Sequence, residues 1–384
     1  MLYSFGIVLE KYGIGTVNKK DTEMEKILYC MHVGWNWIKQ RPHYLAEELS
    51  NYYYVSVISD YNYRGGTKNK GGNRESLEIH NFYKIPKIDH IASLSFINML
   101  LRKMYYRVNI IKLKPEYIYV MAPTAINCIP NKCECKIIYD CMDDMLEFTD
   151  NKKNNLLILN DERELVQKAN IIFTSSDNLR NVLLKRYGNQ IKDKITVVRN
   201  GFSGKILSTN SVTRIEKNTT YKLCYFGTIA AWINFDYILR SLDEIDNLEY
   251  YLIGPLQSGM IIPSHDRLHH IPQVPHDELY QHVKNMDAFV MPFMVNKLIE
   301  SVDPVKLYEY INYNKNILCV KYDEVNRFKE FVYFYNDFDQ YINQIKNMMN
   351  STTIKYSNEE RVEFLTDNTW HNRADAIRKT IINL

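Results

Sequence analysis

Ser301-Val-Asp-Pro-Val-Lys-Leu-Tyr-Glu-Tyr310 is the stretch that decides how this chain is read. A loop bearing Ser, Asp and Pro runs into a helix predicted to start near Val305. The first turn of a helix has unpaired backbone N–H groups and a partial positive charge, so it attracts phosphate. Lys306 adds a second positive charge in that turn. Glu309 follows at i+3 on the same face, where a carboxylate can accept hydrogen bonds from ribose hydroxyls. Two readings fit these residues: a nucleotide-diphosphate clamp, or a surface helix whose Lys and Glu are only solvated. The neighbouring sequence favours the clamp. Ala288–Met291 before it and Ile317–Val320 after it read as buried strands, which sets the helix inside an α/β unit.

Outward from this point the pattern repeats. Tyr250–Ile253 is a buried strand ending in Gly254-Pro255, and Lys222–Phe226 is another ending in Gly227-Thr228. Helices fit at about 235–244 and 277–284, and the tail from about Asn358 to Leu384 reads as helical with Trp370 in it. Asn200-Gly201 marks a turn, and the stretch from there to Thr220 reads as a domain junction. Before the junction, strands are predicted at Ile27–His32, Tyr54–Ser59, Leu77–Ile85, Tyr117–Met121, Lys136–Asp140, Ile171–Ser175 and Ile195–Val198. Helices are expected at about 40–49, 91–113, 154–168 and 177–187. Residues 61–76, with four glycines and several charges, read as a loop, and the first 25 residues as an appended arm. Continuous apolar strands alternating with helices mean parallel, doubly wound sheets. The expected fold class is therefore α/β with two Rossmann-like halves and a helical tail.

Composition agrees with two domains: 384 residues, 46% hydrophobic, are enough for two cores. The net charge of +3 conceals an asymmetry, with 29 Lys+Arg against 22 Asp+Glu in residues 1–200 and 19 against 23 in 201–384. A basic first half and an acidic second half suit a substrate cleft between them. Seven cysteines without a signal peptide point to free thiols and a cytoplasmic location. Cys128, Cys133, Cys135 and Cys141 cluster without the paired CxxC spacing of a zinc site, so no metal is expected. No apolar stretch is long enough to span a bilayer. Neither half contains GxGxxG or GxxxxGK[ST], which argues against a dinucleotide cofactor and a P-loop.

Five segments together resemble a known family: Gln40-Arg-Pro-His-Tyr-Leu-Ala-Glu-Glu-Leu49, Tyr139-Asp-Cys-Met-Asp-Asp144, Tyr225-Phe-Gly-Thr-Ile229, Pro292-Phe293 and Asp303-Pro-Val-Lys-Leu-Tyr-Glu309. Their combination is similar to bacterial GT-B glycosyltransferases of the group-one type, which build surface polysaccharides. The likeness runs from about residue 27 to 380, and Asp303–Glu309 is its most specific part. It implies two domains facing across a cleft, a nucleotide-sugar (UDP-linked in the commonest case) held by the second, an acceptor by the first, and a last helix crossing back. The boundaries implied are 1–200 with 371–384 for the acceptor domain and 201–370 for the donor domain.

On that resemblance Glu309 grips the donor ribose, while Lys306 and the Gly227-Thr228 amides face the diphosphate. Gly254, Asn296, Ser301, Asp303 and Tyr308 complete the donor set. Binding the leaving group this way stabilises its departing charge without a metal. Many retaining members have two glutamates eight positions apart; here the earlier position is Ser301, with Glu300 beside it, which leaves the stereochemistry open. For an inverting route the expected general base is Asp143, with Asp144 and Asp140 behind it. The alternative is that one of these aspartates caps the helix from Met145 onward. His32, Gly34 and Arg41, with Asp143 and Asp144, form the expected acceptor set, although His32, Arg41 and His43 also fit structural roles. Trp232 either covers the base or caps the core.

The helical region 91–114 holds Arg102, Lys103, Arg107, Lys112 and Lys114, with no acid between Asp89 and Glu116. A basic amphipathic helix suits contact with the inner face of a membrane and a lipid-linked acceptor; the other reading is an ordinary solvated face. No nucleic-acid motif accompanies it, so a nucleic-acid partner is not expected. Three functions are compatible with these residues: transfer of a sugar from a nucleotide-diphosphate donor to a polysaccharide or lipid-linked acceptor, epimerisation of a nucleotide-sugar, and a non-catalytic role in a polysaccharide assembly complex.

Overall fold

A computed structural model describes residues 24–61, 63, 74–86, 96–148, 151–208, 219–275 and 278–384. All but the last two residues of the arm expected over the first 25, most of the expected loop at 61–76, and the start of the helix expected from Ile91 lie outside the described residues.

The first sheet has seven parallel strands: β1 (Lys26–Cys30), β2 (Tyr54–Asp60), β3 (Leu77–Phe82), β4 (Tyr117–Val120), β5 (Lys136–Cys141), β6 (Ile171–Thr174) and β7 (Ile195–Val197). Their spatial order is β3-β2-β1-β4-β5-β6-β7. Helices α1 (Arg41–Leu49), α2 (Phe96–Leu113), α3 (Lys152–Lys168) and α4 (Asp177–Tyr187) form the connections. The second sheet has β8 (Tyr221–Phe226), β9 (Leu248–Ile253), β10 (Leu268–Ile271), β11 (Ala288–Met291), β12 (Asn316–Val320) and β13 (Tyr333–Tyr335), in the order β10-β9-β8-β11-β12-β13. Its helices are α5 (Phe235–Glu244), α6 (Leu279–Val283), α7 (Lys297–Glu300), α8 (Val305–Asn312) and α9 (Phe338–Asn350), and α10 (Asn358–Asp367) and α11 (Trp370–Ile382) follow it.

The strand sequences explain this arrangement. Ile27–Met31, Tyr117–Met121, Ala288–Met291 and Ile317–Val320 are buried at every position, as strands covered by helices on both faces must be. Helix starts are fixed by side chains. Ser176 Oγ accepts from the Leu179 amide, Asn234 Oδ1 from Tyr237, and Asp337 Oδ1 from Gln340, each satisfying an otherwise orphaned donor. Ser357 and Glu360 close a reciprocal capping box at the start of α10.

In both sheets the order reverses after the first strand, between β1 and β4 and between β8 and β11. Ligands in open parallel sheets gather beyond the carboxyl ends of the strands at such a reversal. That rule points to the residues after β1 (His32 and Gly34) and to those after β8 and β11.

Several boundaries differ from expectation. The first strand ends at Cys30, so His32 lies in the loop beyond it. The tail is two helices broken at Asn368–Thr369, where Phe202 bridges to Thr369. Cys133 and Cys135 form a disulfide, so free thiols hold only for the other five cysteines, all buried. Their Cα atoms are 5.3 Å apart, in the loop that enters β5. No group of metal ligands occurs among the described residues.

The chain divides into two compact units: residues 1–120 with 127–137, and residues 121–126 with 138–384. The second unit contains β5–β7 as well as the whole second sheet.

Candidate functional site

The loop after β8 is shaped by two glycines. Gly227 has φ +146° and Gly254 has φ +144°, where a Cβ is strained. The Gly227 amide donates to the Ile253 carbonyl at 2.8 Å. A Cβ on Gly254 would lie 2.1 Å from the Gly227 carbonyl oxygen, and a Cβ on Gly227 would lie 2.5 Å from Lys306 Cε. Glycine at both positions therefore lets the β8 loop, the β9 loop and the Lys306 stem meet. Tyr225, buried beneath, donates its hydroxyl to the Thr228 carbonyl at 2.9 Å. Burial pushes the Tyr225 hydroxyl pKa up, which keeps it a neutral donor.

Lys306 enters this loop from the first turn of α8. Its Nζ lies 3.3 Å from Glu309 Oε2 and 5.6 Å from the centroid of the Phe226 ring. The pair is not sealed: Lys306 is one-third exposed and Glu309 14% exposed. Pro304 stands at the N-cap position and supplies no side-chain cap to the helix amides. So a helix start, an ammonium and a carboxylate converge where β8 ends. Such a cluster suits an anion joined to a hydroxyl-bearing ring.

The residues leading into α8 do different work. Asp303 is buried, its Oδ2 accepting from the Asn200 amide at 2.6 Å and its Oδ1 from Arg327. Burial opposes the Arg327 charge, yet Asp303 and Tyr308 beside it hold that guanidinium above its ordinary pKa. Tyr308, fully buried, donates to the Asn200 carbonyl at 2.9 Å, and its hydroxyl also meets Arg327. The Ser301 hydroxyl donates to Asn178 Oδ1 at 2.8 Å, while its carbonyl accepts from Ser176 at 2.7 Å. Asn296 is exposed and caps α7 by accepting from the Ile299 amide at 3.0 Å. Ser301, Asp303 and Tyr308 thus face inward. Asp303 and Tyr308 pin the clamp helix to Asn200, where the chain leaves the first sheet, Ser301 ties its approach to Ser176 and Asn178, and Arg373 of α11 grips the Asn200 carbonyl at 3.0 Å. Arg327 was not singled out from the sequence; it sits 24 positions from Asp303 with no local motif to mark it.

Near the end of β5, Asp140 is fully buried. Asp144 is 5% exposed, accepts from the Leu146 amide at 3.2 Å and pairs with Arg186 at 2.7 Å. It therefore caps the short 3₁₀ helix Met145–Phe148, as the alternative reading allowed. Arg186 also pairs with buried Glu162 at 2.5 Å, and Glu162 accepts from Tyr139 and Tyr187. Asp143, half-exposed, lies on the same loop, and the 3₁₀ helix packs beside α7. Trp232 is half-buried and packs edge-on to Phe293, its carbonyl accepting from Met294 at 2.7 Å.

The acceptor candidates of the first unit are described separately. His32 is half-buried and Gly34 buried, both beyond β1. Arg41, at the start of α1, is 2% exposed. His43 beside it is 1% exposed; its Nδ1 accepts from the Gln40 amide and its Nε2 meets the Trp35 carbonyl, each at 3.2 Å. Burial drives its pKa down to about 4.

No protein-family profile matches this sequence, and no curated protein matches it either. Solved structures do. Sucrose-phosphate synthase from Thermosynechococcus elongatus superposes with a TM-score of 0.71 at 11% identity, over 94% of this chain and 98% of that one. The fold is that of the GT-B glycosyltransferases. HepE from Anabaena, solved with UDP-glucose, matches at 0.67 and 12% identity over 94% of this chain and 100% of its own. A TarM variant from S. aureus, solved with fondaparinux, alpha-GlcNAc-glycerol and UDP, matches at 0.65 and 9% over 92% and 98%. At these identities the likeness establishes the GT-B fold, and chemistry has to be argued from the residues.

Proposed function

We propose that this GT-B chain transfers a sugar from a nucleotide-diphosphate donor to a hydroxyl of a saccharide or lipid-linked acceptor. The observation that carries the proposal is the meeting of Gly227, Lys306 and Glu309 at an uncapped helix start beyond β8, beside the order reversal of the second sheet. The UDP and UDP-glucose present in HepE and TarM structures support a uridine donor. The lobes of this reading are 1–200 with 371–384 for acceptor and 201–370 for donor.

In this reading Glu309 accepts from the donor ribose, while Lys306 and the Val305 and Lys306 amides face the diphosphate. Gly227, Thr228 and Gly254 allow the diphosphate close to the backbone. Asn296 and the α7 turn flank the sugar. Ser301, Asp303 and Tyr308 hold the clamp in place from behind. The acceptor oxygen bonds to the anomeric carbon as the bond from that carbon to the phosphate oxygen breaks. The electron pair departs on the diphosphate, where the ammonium and the amides balance it. Asp143 takes the acceptor proton, with Asp144 held beside it by Arg186. His32 and Gly34 contact the acceptor, and Arg41 supports them from the interior. No carboxylate stands eight positions before Glu309, since Ser301 occupies that place, so an inverting outcome follows if Asp143 is the base.

The charge balance assigned to Lys306 and the amides makes turnover insensitive to chelators. Calorimetric titration with UDP tests the donor site: binding is expected in the wild type and at least tenfold weaker in Glu309→Ala and Lys306→Met, since charged hydrogen bonds contribute roughly 1.5–3 kcal/mol. Equal affinity in all three proteins would remove the clamp. Product analysis with donor alone separates transfer from epimerisation, because an epimerase converts the donor without an acceptor.

A further inference from the structure

Helix α2 is apolar on the side that faces water. Asn98, Tyr106, Ile110 and Leu113 form its buried stripe. On the opposite side Phe96, Leu100, Met104 and Ile111 are 54%, 51%, 53% and 71% exposed. At about 100° per residue these four fall within one quadrant, with Val108 at its edge. An ordinary surface helix carries polar residues there. Ile85, 43% exposed, follows β3, and the side-chain amide of buried Asn98 holds its backbone at 2.9 and 3.1 Å.

The charge on this surface has one sign. Arg107 falls within the ridge, Lys103 lies at its edge on one side and Lys112 beyond Val108 on the other, and no acid occurs from Phe96 to Leu113. Arg102 is taken by Asp60 at 2.5 Å, whereas Lys103, Arg107 and Lys112 make no ion pair among the described residues. None of these residues belongs to the donor or acceptor sets above.

We infer that this face of α2 docks on an anionic lipid bilayer, the helix lying in the interface with its ridge among the acyl chains and its cations at the headgroups. An exposed apolar ridge carrying and bordered by Lys and Arg, with no acid, is the pattern of interfacial helices. Pairing with a second copy of the same face would set these cations against each other. No helix among the described residues is long and apolar enough to cross a membrane, so contact through this surface would be peripheral. Docking would bring the first unit to the plane that holds a lipid-linked acceptor, yet the inference does not depend on the donor reading, because it is measured without substrate.

The test is sedimentation of the full chain with vesicles of phosphatidylcholine alone or mixed with phosphatidylglycerol. Expected is sedimentation with the anionic vesicles only, weakened by high salt. Lys103→Gln with Arg107→Gln and Lys112→Gln should lower partitioning roughly a hundredfold, at about 1 kcal/mol per basic residue near an anionic surface. Leu100→Glu with Ile111→Glu should abolish it, with circular dichroism and UDP binding unchanged. The salt titration of the wild type keeps the inference testable if a variant misfolds. Failure of the wild type to sediment, salt-independent sedimentation, or undiminished sedimentation of the variants would overturn it. So would a wild-type dimer that Leu100→Glu converts to monomer, which would assign the face to a second copy.

Discussion

Replacing Gly254 by alanine should damage the protein more than replacing Gly227, although Gly227 is the residue nearer the proposed phosphate. Both have φ near +145°, a conformation that costs an L-residue roughly 1–2 kcal/mol. What each methyl meets differs. At Gly254 it falls 2.1 Å from the Gly227 carbonyl oxygen and 2.9 Å from its carbonyl carbon, both backbone atoms tied by the Gly227 amide to Ile253. Relief needs the whole β8 loop to shift, an overpacking cost of roughly 1–3 kcal/mol. The sum is about 2–5 kcal/mol, which lowers Tm by roughly 2–4 °C per kcal/mol for a unit of this size. At Gly227 the methyl meets Lys306 Cε at 2.5 Å, the end of a flexible chain that can swing aside, and the Tyr225 hydroxyl oxygen at 3.0 Å, which has to give by a few tenths of an ångström. Stability then falls by little more than the conformational cost, but the ammonium leaves the clamp and UDP affinity drops at least tenfold. Differential scanning calorimetry and UDP titration on both variants read the two effects separately. A Gly254→Ala protein with wild-type Tm, or a Gly227→Ala protein with wild-type affinity, would refute the reasoning.

His43 gives a pH dependence. Above its unfolded pKa of 6.5 both states are neutral and it contributes no slope; below that the unfolded chain takes a proton the buried ring refuses until about pH 4. Stability should therefore fall with pH across this window by about 3 kcal/mol in total, and His43→Gln should flatten the slope in urea titrations even while lowering stability at pH 7. The two neighbouring aspartates should separate by role: Asp143→Asn is expected to abolish transfer at unchanged Tm, whereas Asp144→Asn, which loses the Arg186 pair, should lower Tm measurably and reduce transfer less. Arg361 is 1% exposed and donates to the Asn312 and Leu207 carbonyls, each at 2.8 Å. Arg361→Met should cost about 3 kcal/mol by stranding those acceptors, measured by chemical denaturation, and loosen the carboxyl end of α8.

Much of the fold was legible because parallel strands covered on both faces are written as unbroken apolar runs. Ile27–Cys30, Tyr117–Met121 and Ile317–Val320 read correctly for that reason. β10 escaped notice because His269 and His270 interrupt its apolar pattern, and β13 because three residues give no period. α9 was passed over although Phe338, Tyr341, Ile342 and Ile345 form its buried stripe. At the site, the local features were readable: the turn glycines, the helix start, and the i, i+3 spacing of Lys306 and Glu309. Side-chain direction at Ser301, Asp303 and Tyr308 was not. Their partners Asn178, Asn200 and Arg327 come from distant segments, and only tertiary packing turns these polar groups inward. The Cys133–Cys135 bond was missed for a different reason, since cysteine count and zinc-type spacing carry no information about two thiols one residue apart.

The most direct test of the donor clamp is a double-mutant cycle on UDP affinity with Lys306→Met, Glu309→Ala and the pair, read by calorimetry beside their melting temperatures. The expected result is a loss of at least tenfold for each single change with the fold intact. UDP bound by the double variant as tightly as by the wild type would contradict a phosphate held at the start of α8.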